Sequence, residues 1–267
     1  GLQRLVIINY LFAKFTQQII STNTLPAIMK KTIILLTFLL GIVSCSTKNK
    51  ENSDNIFYTI NPLGTELYKT PSFESKTSKK IKVGEKLIAL EIIKTELSRK
   101  IGKELSLSGD FIKVKNESIS GYIFSSDLTK FKPKIVDVYE GIMVADLFGV
   151  EKSKKTIKRV EKFNNKEYEI EDKITEYVNG SYTHTAFDGC FNHVYVFKNM
   201  TFNEVYHQLT IHNYIISTTN QGNYLEIPEF SEKKGNEYHF IGEGATDDLK
   251  IIDNKDGTFT MSSNDCT

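Results

Sequence analysis

The sequence predicts a mostly β fold with one short amphipathic helix, and three observations carry that expectation. Short runs rich in β-branched and aromatic residues recur, each bounded by turn residues, as in Phe57-Tyr58-Thr59-Ile60 before Asn61-Pro62-Leu63-Gly64. Asn179-Gly180 and Asp256-Gly257, two-residue hairpin signals, sit between such runs. One segment keeps helical spacing. Thr201 and Glu204 make a capping box, and Phe202, Val205, Tyr206 and Leu209 follow at helical intervals, which places a helix from about Phe202 to His212.

Taken in order, residues 56–132 read as a first domain of short strands. They are interrupted by a loop over 70–78 and by a polar insertion from about Lys94 to Gly109. Phe111-Ile112-Lys113-Val114-Lys115 alternates apolar and basic residues, as a half-buried strand does. In the next strand Tyr122 and Phe124 fall on one face and Ile123 on the other. Phe131-Lys132-Pro133-Lys134 marks the boundary. Residues 133–267 read as a second, β-rich domain of no recognised family, with the helix inside it. Residues 135–139 and 142–148 are apolar runs of strand or short-helix type, and the charged stretch 151–159 is expected to be an exposed loop or short helix. Residues 168–178 form a strand that returns through Asn179-Gly180 as 181–185, and 194–197 is another strand. After the helix, strands are expected at 214–218, 223–227, 237–241, 249–252 and 258–261.

The chain ahead of these domains has a different character. Residues 29–44 open with Met29-Lys30-Lys31, continue through an apolar run from Thr32 to Val43, and end at Ser44 before Cys45. A positive start, an apolar stretch of roughly 7–15 residues and a small residue at the cut make a secretory signal. The run is too short to span a bilayer, which takes about 20 apolar residues. Ile42-Val43-Ser44-Cys45 resembles the lipobox of bacterial lipoproteins at every position. The resemblance implies cleavage between Ser44 and Cys45, a diacylglyceryl group on the Cys45 thiol, and acylation of the new amine. Each buried CH₂ contributes about 0.8 kcal/mol, so several acyl chains make attachment effectively permanent. Residues 1–28 are expected to be an upstream extension, or a longer n-region removed with the signal. From Ser46 to Asn55 no residue is apolar, so 45–55 is expected to be a flexible tether. Ser46 after the lipidated cysteine resembles Gram-negative lipoproteins passed to the outer membrane. A lipid-anchored place in the cell envelope, at the outer membrane in preference to the inner, is therefore expected.

The first domain carries a second resemblance. Leu67-Tyr68-Lys69-Thr70-Pro71-Ser72, Gly84-Glu85-Lys86-Leu87, Phe111-Ile112-Lys113-Val114-Lys115 and Gly121-Tyr122-Ile123-Phe124-Ser125-Ser126-Asp127-Leu128 together resemble a bacterial SH3 (SH3b) domain. Two departures stand out: no glycine precedes Pro71, and Phe111-Ile112 stands where the family usually has Trp-Tyr. The resemblance implies a small SH3-like barrel that binds cell-wall peptide or glycan, or mediates contact.

Composition and cysteine usage narrow the function. Lys+Arg 34 against Asp+Glu 33 leaves a net charge of +1, without the basic excess of a nucleic-acid binder. The expected partners are the membrane through the lipid, and peptidoglycan or another envelope protein. With Cys45 lipidated, Cys190 and Cys266 remain as a pair in an oxidising compartment, and a disulfide between them is expected. SH3b modules accompany papain-like cell-wall peptidases of the NlpC/P60 type, so Cys190 with His239 is the competing, catalytic reading. A cysteine nucleophile is favoured at a helix N-terminus beside a histidine, whereas Cys190 leads into the strand at 194–197. His184, Asp188, Cys190 and His193 match no standard metal spacing; Cys190 has a better use in a disulfide, and the histidines are expected to be isolated surface residues. Asp253-Asn254-Lys255-Asp256-Gly257 lacks the downstream Glu of a calcium loop and reads as a turn. No cofactor, metal or catalytic residue is expected. The function expected is that of a tethered, non-catalytic binding or scaffolding module, with inhibition or chaperoning of an envelope protein by the second domain left open.

Overall fold

The computed structural model describes residues 55–102, 104–213, 215–219, 222–242, 244 and 246–266. Strand predominates over helix by 63% to 7%, and one α-helix stands among the described residues. The leader at 29–44, Cys45 and the tether as far as residue 54 lie outside them.

The first sheet contains β1 (Ile56–Thr59), β2 (Thr65–Tyr68), β3 (Thr77–Ile81), β4 (Lys86–Ile93), β7 (Phe111–Lys115), β8 (Ser120–Phe124) and β9 (Leu128–Thr129). It is antiparallel, in the order β3-β2-β8-β7-β4-β1-β9. At the turn between β1 and β2, Leu63 N–H donates to Asn61 Oδ1 at 3.0 Å, and Gly64 takes a φ of 88° that a side chain would strain. Leu67, Ile81, Leu87, Ala89, Ile112, Val114, Ile123 and Leu128 form one buried core, and Phe57 and Ile119 pack against it. Every one of these belongs to the sheet or its turns. One side of the sheet therefore carries an apolar core built from its own strands. The opposite face gathers Tyr68, Phe111 and Phe124 around Phe73 and Tyr122, with Tyr68 edge-on to Phe111 at 5.6 Å. The alternation at residues 122–124 thus separates two cores, with Ile123 in one and Tyr122 and Phe124 in the other.

The insertion between β4 and β7 does more than lengthen a hairpin. It folds as β5 (Ser98–Lys100) and β6 (Ser106–Ser108), and Leu105 and Leu107 bury their side chains. With Ile60 they join the core of the chain that follows, beside Phe197, Leu209, Phe240 and Ile251. Residues on both sides of the Lys132–Pro133 boundary therefore share a core.

After the hairpin β10 (Lys134–Tyr139) and β11 (Ile142–Asp146) comes a meander of β12 (Glu151–Phe163), β13 (Lys166–Tyr177), β14 (Gly180–Phe187) and β15 (Cys190–Lys198). The helix α1 (Phe202–His212) and the hairpin β16 (Ile215–Thr219) and β17 (Gly222–Glu226) intervene. A second meander, β18 (Glu229–Lys234), β19 (Glu237–Ile241), β20 (Thr246–Asp253) and β21 (Thr258–Cys266), then completes the chain. Both meanders join through their last strands, giving the order β12-β13-β14-β15-β21-β20-β19-β18.

One expectation is corrected here. Residues 151–159 are neither loop nor short helix but the start of the 13-residue strand β12. Their charges masked the period because nearly every residue of β12 is exposed, so no apolar face alternates with a polar one. The strand is held by cross-strand pairing instead, with Lys158–Glu169 at 2.7 Å and Lys162–Glu167 at 3.0 Å. The strand β18 and the turn at Asp188-Gly189, both of whose residues take positive φ, add to the elements expected from the sequence.

The helix forms as its sequence requires. Thr201 Oγ1 accepts from Glu204 N–H, and Thr201 N–H donates to Glu204 Oε2 at 2.7 Å. Val205, Tyr206 and Leu209 enter the core with Leu249, Ile251 and Met261. Its polar side is buried as well: Glu204, His207 and Gln208 are all withdrawn from water.

Candidate functional site

A cleft of about 1170 Å³ opens between the turn after β1, the end of β3, the β10–β11 hairpin and the segment following β17. Its rim carries exposed apolar side chains, among them Leu63, Ile135, Met143 and Tyr224. Arg99, Tyr206 and His207 also line it, and the last two are the most buried of these.

Behind that wall lies a buried polar cluster centred on Asp127, which is 2% exposed at the end of a 3₁₀ turn, Ser125–Asp127. Arg99 on β5 grips it with both fork nitrogens, one at 2.8 Å from Oδ2 and the other on Oδ1. Asn61 Nδ2 donates to Oδ2 at 3.2 Å. His207 Nε2 lies 3.1 Å from Ser126 O and 3.5 Å from Asp127 Oδ1. Two acceptors on that nitrogen mean that Nε2 carries a proton. Nδ1 is buried and has no hydrogen-bond partner. Burial alone would raise the Asp127 carboxyl, but hydrogen bonds from His207 and Arg99, with their charge, hold it well below the usual carboxylate range. Burial likewise opposes the charge on Arg99, and Asp127 more than restores it. Burial pushes the Tyr206 hydroxyl up to about 12, so it remains a neutral hydrogen-bonding group beside the cleft.

Helix α1 ties this cluster to the second sheet. Glu204 Oε1 accepts from Thr129 Oγ1 at 2.6 Å, joining the helix start to β9. Gln208 donates to Ala145 O at 2.9 Å and accepts from Leu147 N–H at 3.1 Å, so it caps the backbone leaving β11. The polar side of the helix therefore replaces water for three other segments. The arrangement is a fixed, charge-compensated support for the cleft wall.

The residues singled out by sequence fall elsewhere. Cys190 and Cys266 are joined in a disulfide, directly opposite one another in the β15–β21 ladder. His239 pairs with Lys250, Lys250 with Ser262, and Ser262 with Val194. That puts His239 three strands from Cys190, about 14 Å across the sheet before the four-residue offset along it. The structure does not bring them together. His184 and His193 face each other across β14 and β15 with ring centroids 5.3 Å apart. His193 is not isolated: Tyr182 OH lies 2.7 Å from its Nδ1, and Asp265 Oδ2 lies 3.3 Å from its Nε2. Asp188 occupies the turn before Cys190. Among the described residues no group of three or more His, Cys, Asp or Glu side chains is placed to hold a metal ion. In the turn at 253–257, Asp253 accepts from Lys255 N–H and Asp256 from Thr258 N–H, each at 2.9 Å. Signal-cleavage residue Ser44 and Cys45 lie outside the described residues.

Sequence reasoning passed over Arg99, Asp127 and His207 as site residues, and read Glu204 only as part of the helix cap. One signal was available. The helix Phe202–His212 has no Lys or Arg, so its polar side consists of Asn, Glu, His, Gln and Thr, an unusual surface in a chain with 34 basic residues. No family model, curated protein or solved structure matches the chain.

His212, at the end of the same helix, makes the fold sensitive to acid. It stacks on Tyr195 with centroids 3.9 Å apart, and its Nε2 has no partner. Burial, aided by the charge of His193, lowers its pKa to about 3. Unfolded, it takes a proton below its ordinary 6.5; folded, it resists until about 3, so the unfolded state binds more protons in between. Stability is therefore full above about 6.5 and falls with pH through that window, by up to about 4 kcal/mol at its acid end. Burial shifts His193 in the same direction. In urea titrations from pH 7 to pH 4, His212→Phe is expected to flatten most of this slope. An unchanged slope would remove His212 as its source.

Proposed function

We propose that this chain is a membrane-anchored, non-catalytic binding module of the cell envelope, with the cleft as its recognition surface and peptidoglycan as its ligand. The observation that carries the reading is the rim: Leu63, Ile135, Met143 and Tyr224 expose apolar surface around a concave site that has polar groups at its back. Convergent apolar and polar groups in a cleft are the usual form of a binding site. The antiparallel first sheet, with an apolar core of its own, supports the SH3b resemblance, and the Cys190–Cys266 disulfide fits an oxidising compartment. No helix among the described residues is long and apolar enough to cross a membrane, and the anchor proposed is lipid on Cys45.

Deleting 56–132 is a poor test, because it would strip Ile60, Leu105 and Leu107 from the shared core. Substitutions at the exposed rim leave that core alone. The full chain in detergent is expected to co-sediment with purified peptidoglycan, and Met143→Asp with Tyr224→Ala is expected to weaken that at least tenfold while thermal unfolding stays unchanged. No sedimentation by the unaltered chain would exclude peptidoglycan as the ligand. Retention of a Cys45→Ser variant in the membrane fraction would exclude the lipid anchor.

A further inference from the structure

The eight-stranded sheet has two unlike edges. At one, β18 is 6 residues long and its pairing is broken by a bulge between Phe230 and Glu232. At the other, β12 runs for 13 residues, about 43 Å, with its only irregularity at Glu151–Ser153. Short length, bulges and proline are common ways of blunting an edge. β12 has no proline or glycine, and among the described residues no strand pairs with its outer side. A long row of backbone donors and acceptors is left open there.

The side chains say what would fit. β12 carries six Lys or Arg against two Glu, whereas its neighbour β13 carries two Lys against five Asp or Glu. Lys154, Lys158 and Lys162 share one face of β12 and are 68%, 62% and 75% exposed. On that face β13 sets Glu171 opposite Lys158 and Glu167 opposite Lys162. On the other, exposed Ile157 and Phe163 of β12 share their side of the hairpin with Tyr168, Ile170 and Ile174. The strand β12 already accepts is thus acidic on one face, with Glu167, Glu169 and Glu171, and mixes apolar with charged residues on the other. A strand added to the open side would stand at the same spacing of about 4.8 Å and meet the same lysines. Two β12 edges brought together would oppose lysine to lysine, which disfavours a second copy.

We infer that the open edge of β12 docks an extended acidic polypeptide segment, which adds to the sheet as a ninth strand. The probe is a synthetic peptide with the sequence Glu167–Glu176 of this chain, titrated against the full chain in detergent and followed by fluorescence anisotropy and amide exchange. Binding is expected to be salt-sensitive, to slow exchange in β12 alone, and to weaken at least tenfold in K154E/K158E/K162E. That variant should bind a peptide with lysine at each acidic position better than the unaltered chain does. Lys233→Glu with Lys234→Glu, on the opposite edge, should change nothing. Absence of binding, equal binding of both peptides by the unaltered chain, or protection outside β12 would overturn the inference and leave the lysines as mere blockers of edge pairing.

Discussion

Replacing Arg99 with methionine is expected to destabilise the chain by about 3–5 kcal/mol, the range for removing one partner of a buried ion pair. That is a large share of the roughly 5–15 kcal/mol that holds a domain folded. The cost arises at Asp127, which stays 2% exposed and loses both fork hydrogen bonds, keeping its contacts with Asn61, Ser126 and His207. The midpoint of urea unfolding at pH 7 measures it, and a loss under 1 kcal/mol would mean that solvent reaches the cluster. Arg99→Met combined with Asp127→Leu should recover most of the loss, because the pair's own attraction is largely spent on its desolvation.

Acid should shrink the difference between the Arg99→Met variant and the unaltered chain. The folded Asp127 carboxyl is held below its ordinary value of 3.8, so its contribution is present above that pH and is lost as pH falls below it. Without Arg99 that hold is weakened, and the variant has less to lose. His212 acts at higher pH, between about 6.5 and 3, so the two groups can be separated in one titration.

The contrast between β12 and α1 shows which parts of the fold a sequence reading could reach. The helix was legible to the residue, because its capping box and its apolar spacing are local signals that tertiary packing reinforced. β12 was not, because a strand exposed on both faces has no burial period, and its stabilising pattern is a match of Lys to Glu across a hairpin, five to thirteen residues away. The candidate site was less legible still. Arg99 sits in a segment that read as a polar insertion, Asp127 in a turn, and His207 on the hydrophilic side of a helix that amphipathicity alone assigns to solvent. Each residue is unremarkable in its own window. Their juxtaposition depends on the β5–β6 hairpin reaching the far core through Leu105 and Leu107.

Removal of the Cys190–Cys266 bridge is the other large effect expected. The bonded residues are 76 apart, and in the chain-entropy model closing so long a loop contributes about 4–5 kcal/mol, an upper figure. The effect should lie mostly in the unfolded chain. β15 and β21 pair from Cys190↔Cys266 through to Lys198↔Thr258, so the folded ladder is registered along its whole length without the bond. Cys190→Ser with Cys266→Ser should therefore lower the urea midpoint, retain the native spectrum, and raise the denaturant slope as the unfolded state expands. Fraying should begin where the bond was, at His193 and Asp265, before it reaches the apolar end at Phe197 and Phe259. A midpoint within 1 kcal/mol of the bridged protein would show that the ladder already restrains the unfolded chain. A lost native spectrum would show that the bond sets register rather than merely closing a loop.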